Sequence, residues 1–88
     1  MADQKAPQLD FNAFVLSLGS SALVHLGEMP DPATGQKTSP DLGLAQQSID
    51  LLALLEEKTR GNLTADERGF LDKLLYELRV RFVEASRK

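Results

Sequence analysis

The chain has 88 residues, 42% of them hydrophobic, with 13 acids against 10 bases and a formal net charge of -3. That length makes one domain; the lack of cysteine excludes disulfides and thiolate metal sites, and a single histidine cannot build a zinc site alone. A negative balance argues against bulk nucleic-acid binding.

Met1 to Leu9 is polar, contains Pro7 and reads as a loose N-terminal tail, residues 1–9. It lacks the basic start and apolar run of a secretory signal, so the expected location is the cytoplasm. Asp10 is a candidate N-cap for a first helix over about residues 11–26. Gly27 and Pro30 supply its stop. Phe11 to Gly27 carries no formally charged side chain, yet the stretch is too short and too polar to span a membrane. A surface helix normally shows one charged face to water. This one offers Ser, Ala, Asn, Gly and His25 instead.

Glu28 to Thr38 is a turn-rich connection, because neither Pro30 nor Pro32 can continue a helix. Ser39-Pro40-Asp41 reads as an N-cap, a first helical position and an acid in the first turn. The second helix is expected over about 40–60, with Lys58 and Arg60 suiting its end and Gly61 stopping it. Thr64-Ala65-Asp66-Glu67 is a capping box, which opens a third helix over about 65–85. The short Gly61-Asn62-Leu63 link predicts an antiparallel hairpin of helices two and three. The fold class is all-α: a three-helix bundle, or a helical hairpin plus one helix, in a single domain over 10–88.

At helical spacing, Phe11, Phe14, Val15, Leu18, Ala22 and Leu26 form one face of the first helix. Leu16 and Leu23 fall outside it, and the remaining sector of Ala13, Ser17, Ser20, Ser21 and Val24 is small enough to let another backbone approach. The second helix has a wide apolar arc including Leu42, Leu44, Ala45, Ile49, Leu51, Leu52 and Leu55, with Leu54 left over. The third pairs a core stripe of Phe70, Leu71, Leu74, Leu75, Leu78 and Phe82 with a second stripe of Tyr76, Val80 and Val83. Each helix thus has more apolar surface than one three-helix core needs. Leaving it wet invites aggregation. The expected resolution is self-association, with a dimer as the simplest assembly, or another protein as partner. The contact is expected through helix one and the second stripe of helix three: Leu16, Leu23, Val24, Tyr76, Val80 and Val83.

Other candidate sites have structural explanations. Gly35-Gln36-Lys37-Thr38 is no phosphate loop, since Gly and Lys are not adjacent and no Gly-rich strand–loop precedes them. In Lys58-Thr59-Arg60-Gly61-Asn62 the cations complement a helix end and Gly61 closes it. A lone His25 near a helix end more often closes a hydrogen bond than performs catalysis. No catalytic, cofactor or metal set converges at readable spacing, so the expected function is a non-catalytic protein-interaction or assembly module without cofactor. The alternative is a nucleic-acid-associated regulator using Arg79, Arg81, Arg87 and Lys88.

One further signal lies in the order of residues. Phe11-x-x-Phe14-Val15-x-Ser17-Leu18, Ala22-Leu23-Val24-x-Leu26-Gly27, Pro30-Asp31-Pro32-x-Thr34-Gly35, Ala45-x-x-x-Ile49-Asp50-x-Leu52, Lys58-Thr59-x-Gly61-Asn62-Leu63-Thr64-x-x-Glu67 and Leu75-Tyr76-x-Leu78-Arg79 follow one another. From about Leu9 to Val83 this pattern resembles a small bacterial family catalogued as domain of unknown function eighteen forty-four. The Lys-Thr-x-Gly-Asn-Leu-Thr segment is its most distinctive part. The resemblance implies a bacterial, cytosolic, all-helical protein and carries no activity.

Overall fold

A computed structural model describes residues 10–87. The tail over 1–9 and Lys88 lie outside the described residues. Three helices follow in order: α1 (Phe11–His25), α2 (Leu42–Lys58) and α3 (Ala65–Ser86), with no strand among the described residues. All three pairs of helices are in contact, which makes the fold a bundle rather than a hairpin with a separate helix.

The ends of α1 follow from two residues. The Asp10 carboxylate accepts the Ala13 amide at 2.8 Å, a cap that stabilises a helix start by about 1 kcal/mol. At the other end the Gly27 amide donates to the Val24 carbonyl and the Glu28 amide to the Leu23 carbonyl, the paired bonds of a Schellman motif. That motif needs a left-handed residue, and Gly27 has φ 78. A Cβ there would also sit 3.0 Å from the Thr38 carbonyl oxygen.

Helix α2 begins at Leu42 rather than Pro40, and Asp41 rather than Ser39 is its cap. The Asp41 carboxylate accepts the Leu44 amide at 3.0 Å. The Asp41 amide meanwhile donates to the His25 carbonyl at 2.7 Å, which holds its backbone extended. Ser39 and Pro40 are thereby drawn into the connection, with the Pro40 ring packed near Gly27. The helix ends at Lys58, with Thr59 as C-cap, and the Thr59 hydroxyl donates back to the Leu55 carbonyl at 2.7 Å. The Thr64–Glu67 capping box forms with both reciprocal bonds, at 3.1 and 3.0 Å.

The core is a seam shared by all three helices: Val15 and Ala22 from α1, Ile49 and Leu52 from α2, and Leu71, Leu75 and Leu78 from α3. Val15, Leu52, Leu71 and Leu78 are completely buried. Gly19 is buried between α1 and α3, where an added Cβ would lie 2.7 Å from a Leu74 methyl. The missing side chain therefore admits Leu74. Along its shortest axis the Cα trace measures 16 Å, the depth of about two helix layers at 8–10 Å between axes. Outward-facing side chains consequently have nothing above them.

Candidate interaction site

The residues expected at a surface seam divide into two groups. Leu16 is 53% exposed on the outer side of α1, and Val24 is half-buried on the same side. Tyr76, Val80 and Val83 lie exposed along the outer side of α3, Tyr76 most of all at 71%. Leu23 differs. It is partly buried and packs against the core. One turn before it stands Gly19, where Leu74 of α3 comes close to α1. The uncharged outer sector of α1 therefore starts beyond Leu23.

That sector forms one wall of a groove of about 620 Å³, and Met29 to Pro32 form the other. Ala13, Leu16, Ser17, Ser20 and Val24 line the helix side, with His25 at one end. The opposite wall is stiffened by its own hydrogen bonds. The Asp31 carbonyl accepts the Thr34 and Gly35 amides, the Asp31 side chain accepts the Ala33 amide at 2.8 Å, and the Asp31 amide donates to the Gln36 carbonyl. Asp31 thus organises the loop as an Asx turn with one helical turn beneath it. Glu28 ties the loop to α3 through an ion pair with Arg81. The connection read from its prolines as turn-rich is a closed, Ω-like loop whose ends meet in the His25–Asp41 bond.

A second apolar surface was not singled out from the sequence. Phe14 and Leu18 of α1 face Leu51, Leu54 and Leu55 of α2 across an open trough of about 370 Å³. Phe14, Leu51 and Leu54 are each more than 40% exposed. Lys58 is the one charged side chain lining it among the described residues. Phe14 reads as core by spacing, and Leu54 reads as an outlier among polar residues. The signal was the excess width of the α2 apolar arc. The buried side of α2 is the narrower set Ala45, Ser48, Ile49 and Leu52, which leaves Leu44 and Leu51 outside.

Three arginines are held in ion pairs. Arg60 makes a two-pronged contact with Glu56, at 2.9 and 3.1 Å. That bond, with the Glu56 charge, raises the guanidinium above its ordinary pKa. Arg68 faces Asp72 at 3.6 Å, and Arg81 also reaches Glu77 at 3.3 Å. The hydrogen bond and charge of Glu28, then those of Glu77, raise the Arg81 pKa. These pairs are exposed, so each stabilises little. They matter for assigning surfaces. Arg60 in the Lys58–Asn62 segment is already matched by Glu56, and the Asn62 amide closes a turn onto the Thr59 carbonyl at 2.9 Å. Arg79 and Arg81 sit two positions apart and so project to different sides of α3. Arg79 borders Glu56, Asp72 and Tyr76, whereas Arg81 turns to Glu28. Among the described residues the basic end of α3 holds Arg79, Arg81 and Arg87, of which Arg81 is paired with Glu28 and Glu77; Lys88 lies outside the described residues. Asp50 accepts from the Gln46 side chain at 2.8 Å within its own helix. Among the described residues no group of three His, Asp or Glu is placed to hold a metal ion. No helix among them is long and apolar enough to cross a membrane.

Fold and surface together define a small all-α protein: three packed helices with apolar side chains on both the inner and the outer sides. The chain belongs to the family described as domain of unknown function DUF1844, whose model matches residues 8–84. The resemblance read from the residue pattern covers nearly the same span. No curated protein and no solved structure gave a significant match.

Proposed function

We propose that this chain is a non-catalytic assembly module that binds further copies of itself through the outer sides of its helices. The observation that carries the reading is the exposure of Leu16, Tyr76 and Val83, each at half or more. Phe14, Leu51 and Leu54 add three further large side chains. Fully burying one such side chain contributes roughly 1.5–3 kcal/mol. Association costs about 4–15 kcal/mol in lost freedom of motion, so several must be covered together. Micromolar affinity needs a net of about 8 kcal/mol; these side chains are partly covered already and spread over separate surfaces, so the association is weak and depends on concentration. The uncharged outer sector of α1 supports the same reading, because no like charges on α1 oppose each other when two copies meet.

The test is sedimentation velocity or light scattering on the purified full chain from low micromolar to millimolar concentration. Mass should rise with concentration. A monomer throughout that range overturns the proposal.

A further inference from the structure

The residues that open α2 support two different helix starts. Ser39-Pro40-Asp41 fits a helix that begins at Pro40. Ser39 is a competent N-cap, and a residue before proline is held extended, as a cap must be. The proline ring presets the first helical φ, and Asp41 adds an acid to the first turn. The helix begins instead at Leu42, with the Asp41 carboxylate accepting the Leu44 amide at 3.0 Å. What selects this shorter form lies outside α2. The Asp41 amide donates to the His25 carbonyl at 2.7 Å, and the Pro40 ring sits beside Gly27, where an added Cβ would lie 3.2 Å from it. In the longer form the same amide would occupy the second helical position, within reach of the Ser39 hydroxyl. Each form gives that amide one partner and excludes the other. Local chemistry and long-range contact thus disagree at this point, a conflict that sequences tend to keep at functional or strained places.

We infer that the loop over 28–39 is a strap with two positions, set by which residue caps α2. With Asp41 as cap the strap is closed. Its end rests on His25, and residues 29–32 wall the groove along α1. With Ser39 as cap, Pro40 and Asp41 wind into the helix. Two residues that span about 7 Å when extended then rise about 3 Å. The connection loses about 4 Å of reach, and its end leaves His25. The wall follows, because the bonds of Asp31 to Thr34, Gly35 and Gln36 make the loop one unit. At its start the strap is held to α3 by the exposed Glu28–Arg81 pair, a weak fastening. Cap choice at α2 therefore sets the width of a groove on α1, whether or not the chain self-associates.

The experiment uses the full chain. Asp41→Ala removes the cap of the closed form and leaves Ser39 to act. The NMR carbon shifts of Pro40 and of position 41 should move to helical values, and adding Ser39→Ala should abolish that move. Ser39→Ala alone should leave Pro40 as in the wild type. The chain has no cysteine of its own, so Ser17→Cys and Ala33→Cys place two spin labels, one on each side of the groove. Their separation should lengthen by a few ångströms when Asp41→Ala is added. A helix start that stays at Leu42 in Asp41→Ala, or that moves equally without the Ser39 hydroxyl, overturns the inference. So does a moved start with an unchanged label separation. Asp41→Glu, whose acid suits the first turn rather than the cap, is the second variant if Asp41→Ala loses helicity by circular dichroism, and the same outcomes decide.

Discussion

Leu52 and Leu54 stand two positions apart on the same helix, one completely buried and the other about half exposed. The same contrast separates Leu78 from Tyr76 on α3 and Val15 from Leu16 on α1. Residue type does not distinguish the two sides of the bundle; position relative to the neighbouring helices does. The inner side holds the fold together. The outer side adds little to it and is available for association. Substitutions on the two sides should therefore separate stability from assembly.

The largest effect is expected inside. Leu52→Ala removes a fully buried side chain at the meeting point of the three helices and should cost about 2–5 kcal/mol in urea unfolding. Gly19→Val places atoms where Leu74 already lies. It should cost about 1–3 kcal/mol through overpacking, read as a lowered unfolding midpoint. Thr64→Ala opens the capping box and should cost about 1 kcal/mol, measured the same way. Arg81→Ala removes the link between α3 and the Glu28 loop. As an exposed pair it should change stability by about 0.2–1 kcal/mol, and high salt should erase the difference. Smallest of all is Leu54→Ala, within about 0.5 kcal/mol of the parent in unfolding while weakening concentration-dependent assembly. If Leu54→Ala instead destabilised the monomer as Leu52→Ala does, the division between inner and outer sides would be lost.

Helix ends were legible wherever one residue's chemistry decides them. Asp10, Gly27, Thr64 and Glu67 act locally, and their hydrogen bonds form where the residue types demand. The start of α2 was harder, because Ser39 and Asp41 are both competent caps. The choice was made by a bond from the Asp41 amide to the distant His25 carbonyl. Faces were legible for α3, whose Leu71, Leu75 and Leu78 are separated from Tyr76, Val80 and Val83 by charged residues. They were less so for α2, where apolar residues surround more of the helix than two neighbours can cover, and where the hydroxyl-bearing Ser48 is buried at 7% exposure. Leu23 falls outside the core stripe by spacing yet packs against the core cluster. The trough could not be read from either helix singly, since it exists only once Phe14 and Leu18 are set beside Leu51 and Leu54.

The grip of Arg81 on Glu28 spans 53 residues of chain. On a ribosome adding about 5–20 residues per second, roughly 3–10 s pass between the synthesis of the two partners. Until α3 follows, the flank of α1 that packs against Leu74 is uncovered too, and α1 has no formal charge of its own to keep it apart from other chains. Docking of α3 is thus the step that ends this exposure, and a chain cut short within α3 would be a sticky fragment rather than a smaller working protein.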